Sequence, residues 1–333
     1  GEHPAAQQRC EHELAVIERM GLPPYFLAVC TIADLARARD IPFLGRGSAA
    51  DSLVAYCLEI TTVDPPAGLT AWGSSLVALD GRRALLTSLG SPSGALFDAT
   101  NETWTAVAGL SLHFRGAVWV PSVNKLVTGG GSDGSVWTSG AEIFDGTSLA
   151  ATTSNLLAVR GYHTAELITT TPERVLFIGG LNGATAQATT EWWDSSTGTF
   201  TARASMLTPR NWHASSRLAS GKILVTGGLD TGILSLAEIY DPVANTWTAT
   251  INSMGTIRYQ HRQVTLKGGK VLVVGGSDGT SLSTTELFDP GSNTFVAGPS
   301  MKDSRANATV TLRPDGTVVV AGGSGLKSGD TVP

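Results

Sequence analysis

From about residue 69 onward the sequence predicts a mainly β chain made of small antiparallel sheets repeated in tandem. Three observations carry this. Glycine pairs recur at a spacing of 47 to 50 residues, each pair follows a short apolar β-rich run, and each is followed by a second run whose aromatic is matched by another seven positions later. The composition agrees: only 15% of the 333 residues are charged and 39 are glycine, which suits many tight turns joining short strands.

The glycine pairs are Gly129-Gly130, Gly179-Gly180, Gly227-Gly228, Gly275-Gly276 and Gly322-Gly323. A fixed period of this length marks a repeat architecture. The runs before them, KLVT, RVLFI, KILVT, KVLVV and TVVVA, are continuous rather than alternating, as expected of strands covered on both faces. The third strands are GALFD, AEIFD, TEWWD, AEIYD and TELFD. Aromatics seven apart then join Phe97 to Trp104, Trp193 to Phe200, Tyr240 to Trp247 and Phe288 to Phe295, across turns such as DPVANT and DPGSNT. A Leu or Met four residues before an Arg closes each repeat: Leu156 and Arg160, Met206 and Arg210, Met254 and Arg258, Met301 and Arg305.

This pattern resembles the kelch repeat. The resemblance implies a kelch-type β-propeller of four-stranded blades around a channel, covering roughly residues 66–333. Five blades are near-complete, at about 69–115, 116–160, 161–210, 211–258 and 259–305, and a partial sixth occupies 306–333. Blade one departs from the pattern with Leu89-Gly90 in place of a glycine pair, and blade two with Ala151 in place of the second aromatic. Because blade six stops after two strands, the chain is expected to be truncated at this end, and its start without methionine suggests the same of the other.

Candidate chemistry in the repeats is periodic. His163, His213 and His261 each stand three residues after the recurring Arg, with Ala308 and Val118 in that register elsewhere. Equivalent positions point to architecture rather than to a metal site. Glu142, Glu191, Glu238 and Glu286 lie 18 to 20 positions before the Arg that ends each repeat, which predicts that Glu and Arg are a structural ion pair or hydrogen-bonded partners between strands, repeated per blade. A related propeller family, the galactose oxidases, implies a copper site of two tyrosines and two histidines. Here only Tyr162, Tyr240 and Tyr259 are available, and Tyr240 is itself a repeat aromatic. Asp133 and Asp278, each in an SDG sequence, are read as turn residues before weak calcium ligands. No catalytic residue, metal or cofactor is expected in the propeller. Its expected partner is a protein or glycan on the loop face, with no nucleic acid and no membrane.

The first 65 residues differ. Apolar positions at helical spacing predict two helices broken by GLPP, Gly21 to Pro24, followed by a strand, the turn GRGS and a further helix. Cys10, Cys30 and Cys57 all lie here, at spacings that fit no CxxC pair or zinc site and are read as buried free thiols, while no lysine occurs before Lys125.

EHELAVIERMGLPPYFLAVC followed by GRGSAADSLVAYCLEITTVDP resembles the palm region of the bacterial DNA polymerase III alpha subunit and its error-prone relative, over about residues 8–65. In that family Gly47 and Ser48 would help to hold a nucleotide triphosphate, with Arg46 as counter-charge. The family's catalytic aspartates would follow, but Pro65 is succeeded by PAGLTAW. Without them two-metal phosphoryl transfer is not expected.

The whole therefore reads as a non-catalytic propeller carrying an inactive polymerase remnant, in a chimeric or truncated chain. The alternatives are a polymerase fragment and a copper oxidase. Localisation stays open, because the propeller resembles exported proteins and the polymerase segment cytosolic ones. The net charge of −5 and the absence of any apolar run of about 18 residues or of a signal peptide add no pull toward nucleic acid or a spanning helix.

Overall fold

The computed structural model describes residues 75–79, 82–87, 93–101, 103–108, 116–131, 136–152, 154–313 and 315–325. The predicted N-terminal helices, Arg46, Gly47 and Ser48, the boundary after residue 65 and Leu89-Gly90 lie outside the described residues. These residues are mainly β, in antiparallel sheets consistent with a β-propeller, with a 3-10 turn at Pro121–Val123 and no α-helix among them. The chain divides into two compact units, residues 1–113 and 114–333.

In the first unit the described residues form sheet A, with strands Ser75–Ala78, Arg83–Thr87, Ser93–Asp98 and Thr103–Ala108 in chain order.

In its described residues the second unit contains four sheets of four strands and two of two, one of the latter being the short ladder of Leu181–Asn182 with Thr185–Ala186. Sheet B comprises Ala117–Val120, Lys125–Gly129, Ala141–Phe144 and Leu149–Ala151. Sheet C comprises Thr164–Ile168, Arg174–Ile178, Thr190–Asp194 and Phe200–Arg203. Sheet D comprises Ala214–Arg217, Ile223–Thr226, Ala237–Asp241 and Thr246–Ala249. Sheet E comprises Arg262–Thr265, Val271–Val274, Thr285–Asp289 and Thr294–Ala297. Sheet F pairs Thr309–Leu312 with Val318–Ala321. Strands follow chain order across every sheet, and the first strands of B, C, D, E and F lie side by side in succession.

The core sits between successive sheets. Between B and C, Val127 meets Val175, Phe177 and Trp193; between C and D, Leu176 and Ile178 meet Val225, Tyr240 and Trp247. Between D and E, Leu224 and Met254 join Val273 and Phe288. The second strand of sheet C thus sends alternate side chains into two different cores. That is why its sequence is apolar at every position from Val175 to Ile178.

The seven-residue aromatic spacing is a cross-strand pair. Phe97 faces Trp104, Trp193 faces Phe200, Tyr240 faces Trp247 and Phe288 faces Phe295 across the hairpin of strands three and four. In sheet B the residue opposite Phe144 is Leu149, not Ala151. The hairpin there is two residues shorter, so the partner arrives earlier and Ala151 pairs with Glu142 instead. The turns are held as their composition implies. Asp241 Oδ1 accepts the Val243 and Ala244 N–H groups at 2.9 and 3.1 Å, while Asn245 takes the left-handed φ of 56°.

Candidate functional site

The recurring Arg, Glu, His and Gly residues meet at the seams between sheets. The Arg lies in the connection entering a sheet and its guanidinium reaches into that sheet. Arg210 donates from Nη1 to the Gly227 and Leu236 carbonyls at 2.8 and 2.9 Å, and from Nη2 to Glu238 Oε1 at 2.6 Å. Glu238 in turn accepts the Leu207 and Thr208 N–H groups at 2.6 and 3.0 Å. The carboxylate and guanidinium thereby tie the connection at both ends. Arg160 with Glu191 at 2.6 Å and Arg258 with Glu286 at 2.9 Å repeat the arrangement, with all six side chains buried. Arg305 donates to the Gly322 carbonyl at 2.8 Å and pairs with Asp303 at 3.4 Å.

The pairing differs from the one expected of the sequence. Arg160 holds Glu191, not Glu142, and Arg210 holds Glu238, not Glu191. Each ion pair joins the end of one repeat to the sheet of the next, because the connection crosses over before its Arg turns inward.

The glycine pairs make this crossing possible. Gly227 and Gly228 have φ of 55° and 102°, and both lie against backbone: the Arg258 carbonyl over the first and the Asn211 carbonyl, 2.6 Å from a Cβ placed there, over the second. The histidines wedge between them. His213 packs on Gly228 and its Nε2 shares a 3.0 Å hydrogen bond with Thr164 Oγ1, while His261 Nε2 shares one of 2.8 Å with Thr226 Oγ1. Burial, with Arg210 next in importance for His213 and Arg258 for His261, holds both imidazoles well below their ordinary pKa, so they are neutral in the folded chain. In sheet B the strand register places Gly116, not Val118, in the histidine position, since Ala117 pairs with Thr128 as Ala214 does with Thr226. A Cβ at Gly116 would collide with the His163 ring.

No three His, Cys, Asp or Glu side chains gather to hold a metal among the described residues. The Tyr240 hydroxyl donates to Asn245 Oδ1 at 2.9 Å and accepts from Arg203 Nε at 3.1 Å. Asp278 Oδ1 accepts both the N–H and the hydroxyl of Thr280, as in a turn. Asp133 lies outside the described residues.

One carboxyl stands apart from the repeat. Glu166, on the first strand of sheet C, accepts the Ser215 hydroxyl at 2.6 Å, and burial pushes its pKa up to about 7 against the opposing pull of Ser215 and Arg217. The folded chain therefore binds this proton more tightly than the unfolded chain. Stability from this group is present below pH 4.5 and is lost as pH rises toward 7, by of order 3 kcal/mol. The buried histidines act in the opposite sense, losing stability as pH falls below 6.5. Urea unfolding of wild type and Glu166→Gln at pH 4.5 and pH 8 separates the two: the variant is expected to gain on wild type at the higher pH.

A further set of positions escaped the sequence reading. Tyr162, Trp212, Gln260 and Asn307 each stand two residues after the recurring Arg, all with φ of 53 to 56°. Trp212 N–H donates to the Tyr162 carbonyl at 3.0 Å, Gln260 N–H to that of Trp212 at 3.0 Å, and Asn307 N–H to that of Gln260 at 2.9 Å. Their side chains succeed one another at one end of the unit, with Tyr162 and Trp212 stacked at 3.9 Å and Trp137 edge-on to Tyr162 at 4.8 Å. The available signal was the series RGYH, RNWH, RYQH and RANA, whose third member varies while its backbone state does not.

Residues 214–249 and 261–302 match the Kelch motif. The two matches coincide with sheets D and E, one motif to one sheet. Residues 1–85 match the bacterial DNA polymerase III alpha NTPase domain, running past residue 65 across Ser75–Ala78 and into Arg83–Thr87. The error-prone DNA polymerase of Symbiobacterium thermophilum is 57% identical over 58 residues, 17% of this chain and 5% of that protein. That of Burkholderia mallei is 52% identical over 59 residues, 18% and 6% respectively. That of Bordetella parapertussis is 49% identical over 70 residues, 21% and 7%. The chain thus spans only 5 to 7% of the length of these curated relatives.

Proposed function

We propose that residues 66–333 form a kelch-type propeller of five near-complete blades and a partial sixth that acts as a non-catalytic binding module, and that residues 1–65 are a polymerase remnant without activity. The observation that carries this is the fate of the recurring ionisable groups. Arg160, Arg210, Arg258 and their glutamates close buried ties, and His213 and His261 are buried with Nε2 bonded to the Thr164 and Thr226 hydroxyls, so none of these groups is presented to a substrate. Its partner is a protein or glycan met by the loops that follow the glycine pairs.

For the N-terminal segment, the acidic cluster that two-metal chemistry needs does not follow Pro65. Primer extension by the full chain with magnesium and all four nucleotides is expected to yield no template-directed product; synthesis would overturn the reading. The joining of two pieces of different ancestry is supported by two unrelated family matches on one chain and by the change in lysine and cysteine usage. A single reading frame across codons 60–72 in an independent isolate would count against an accidental joining.

A further inference from the structure

The end of the second unit that carries the Arg-to-His connections also carries the loops between second and third strands. The two are bridged by hydrogen bonds such as those between Asn211 and Leu229 and between Tyr259 and Ser277. In the connections and loops of this end Leu157, Leu207, Leu236 and Ile257 are 63, 62, 43 and 43% exposed, and the stacked Tyr162 and Trp212 are half-buried. Leu157 and Leu207 donate their N–H groups to Glu191 and Glu238, and the Leu236 carbonyl accepts from Arg210, so they stand directly over the buried ties. Exposed aliphatic side chains held on a rigid backbone, with aromatics on the same end, are features of protein interfaces.

Charge specifies the partner further. Asp230 and Asp278 lie in the strand-two-to-three loops at this end, and Asp278 is kept ionised below the usual carboxylate range by the Thr280 N–H. Lys302 lies in the connection between sheets E and F, at this end but beyond the sheets that carry Asp230 and Leu207, whereas Lys125, Lys222, Lys267 and Lys270 lie in or beside the turns between first and second strands, at the opposite end. Lys222 and Lys270 are there paired with Asp241 and Asp289.

We infer that this end docks a protein segment presenting aliphatic side chains flanked by lysine or arginine, seated on Trp212, Leu207 and Leu236 with its cations toward Asp230 and Asp278. The inference rests on the binding-module reading and narrows it.

The test uses the full chain and two fluorescent amphipathic peptides, one of leucine and lysine and one of leucine and glutamate. The lysine peptide is expected to bind at least about ten-fold more tightly at low salt. Asp230→Asn with Asp278→Asn, which keeps an oxygen for the Thr280 N–H, is expected to erase that preference. Leu207→Ser with Leu236→Ser is expected to weaken binding at least about five-fold with the unfolding temperature unchanged, since both side chains are already exposed. Equal binding of the two peptides, no binding, or binding indifferent to both double variants overturns the inference. So does a titration in which mannohexaose binds and the peptides do not, an outcome that leaves the binding-module reading standing. Nucleotide incorporation in the primer assay would instead remove that reading itself.

Discussion

Glu238→Ala is expected to destabilise the second unit by about 3–5 kcal/mol, the cost of leaving a buried guanidinium without its counter-charge. Glu238 and Arg210 meet at 2.6 Å with side-chain exposures of 2% and 0%, so water cannot replace the lost carboxylate. The variant also strips the Leu207 and Thr208 N–H groups of their acceptor. For the same reason, replacing both partners by Arg210→Met and Glu238→Leu is not expected to restore stability, although such swaps often do for simple buried pairs. The Gly227 and Leu236 carbonyls and two N–H groups would all be orphaned at once. Urea unfolding of Glu238→Ala and of the double variant checks this; a double variant as stable as wild type would show that the uncompensated charge, rather than the lost tie to the backbone, accounts for the cost. Lys222→Ala, which removes an exposed ion pair with Asp241 but leaves the turn bonds of Asp241 in place, is expected to change little by comparison.

Gly228→Ala is expected to cost about 3 kcal/mol or more, from two separate sources. Its φ of 102° is a conformation that alanine avoids, and the new Cβ would lie 2.6 Å from the Asn211 carbonyl and 2.9 Å from His213 Cβ. Neither neighbour can yield, since Asn211 and Leu229 exchange backbone hydrogen bonds at 2.8 and 2.9 Å across that point. Gly221→Ala provides the contrast. Its φ is 83° but nothing lies within 4 Å of the added carbon, so only the conformational cost of about 1 kcal/mol applies. Thermal unfolding that showed the two variants equally affected would place the whole effect in backbone strain and none in the close approach.

Much of the sheet structure was legible because it depends on short-range pattern. A seven-residue step between Tyr240 and Trp247 is a property of one hairpin, and the unbroken apolar run at Val175–Ile178 announces that both faces are covered. Even the exception was present in the sequence. The shorter turn after Phe144 moves its partner to Leu149, and counting turn residues instead of assuming a fixed step would have found it. The positions at Tyr162 and Trp212 were harder to see. What recurs there is a left-handed backbone and a ring of backbone hydrogen bonds, while the side chains differ, and a search for repeated residue types passes over them.

By itself the sequence determined the period, the identity of the strands, the turns that join them and the fact that Arg, Glu, His and Gly act as a set. It also placed a polymerase-like segment before the repeats, with no acidic cluster following it. Only the tertiary structure decided which Arg meets which Glu. Glu191 lies 19 positions before Arg210 and Glu238 lies 28 after it, and both separations are compatible with an ion pair along the chain. The connection crosses to the next sheet before Arg210 enters the core, so Glu238 is the carboxylate within reach. A repeating sequence specifies its sheets locally, but what holds one sheet to the next is formed between repeats, where only packing in three dimensions selects the partner.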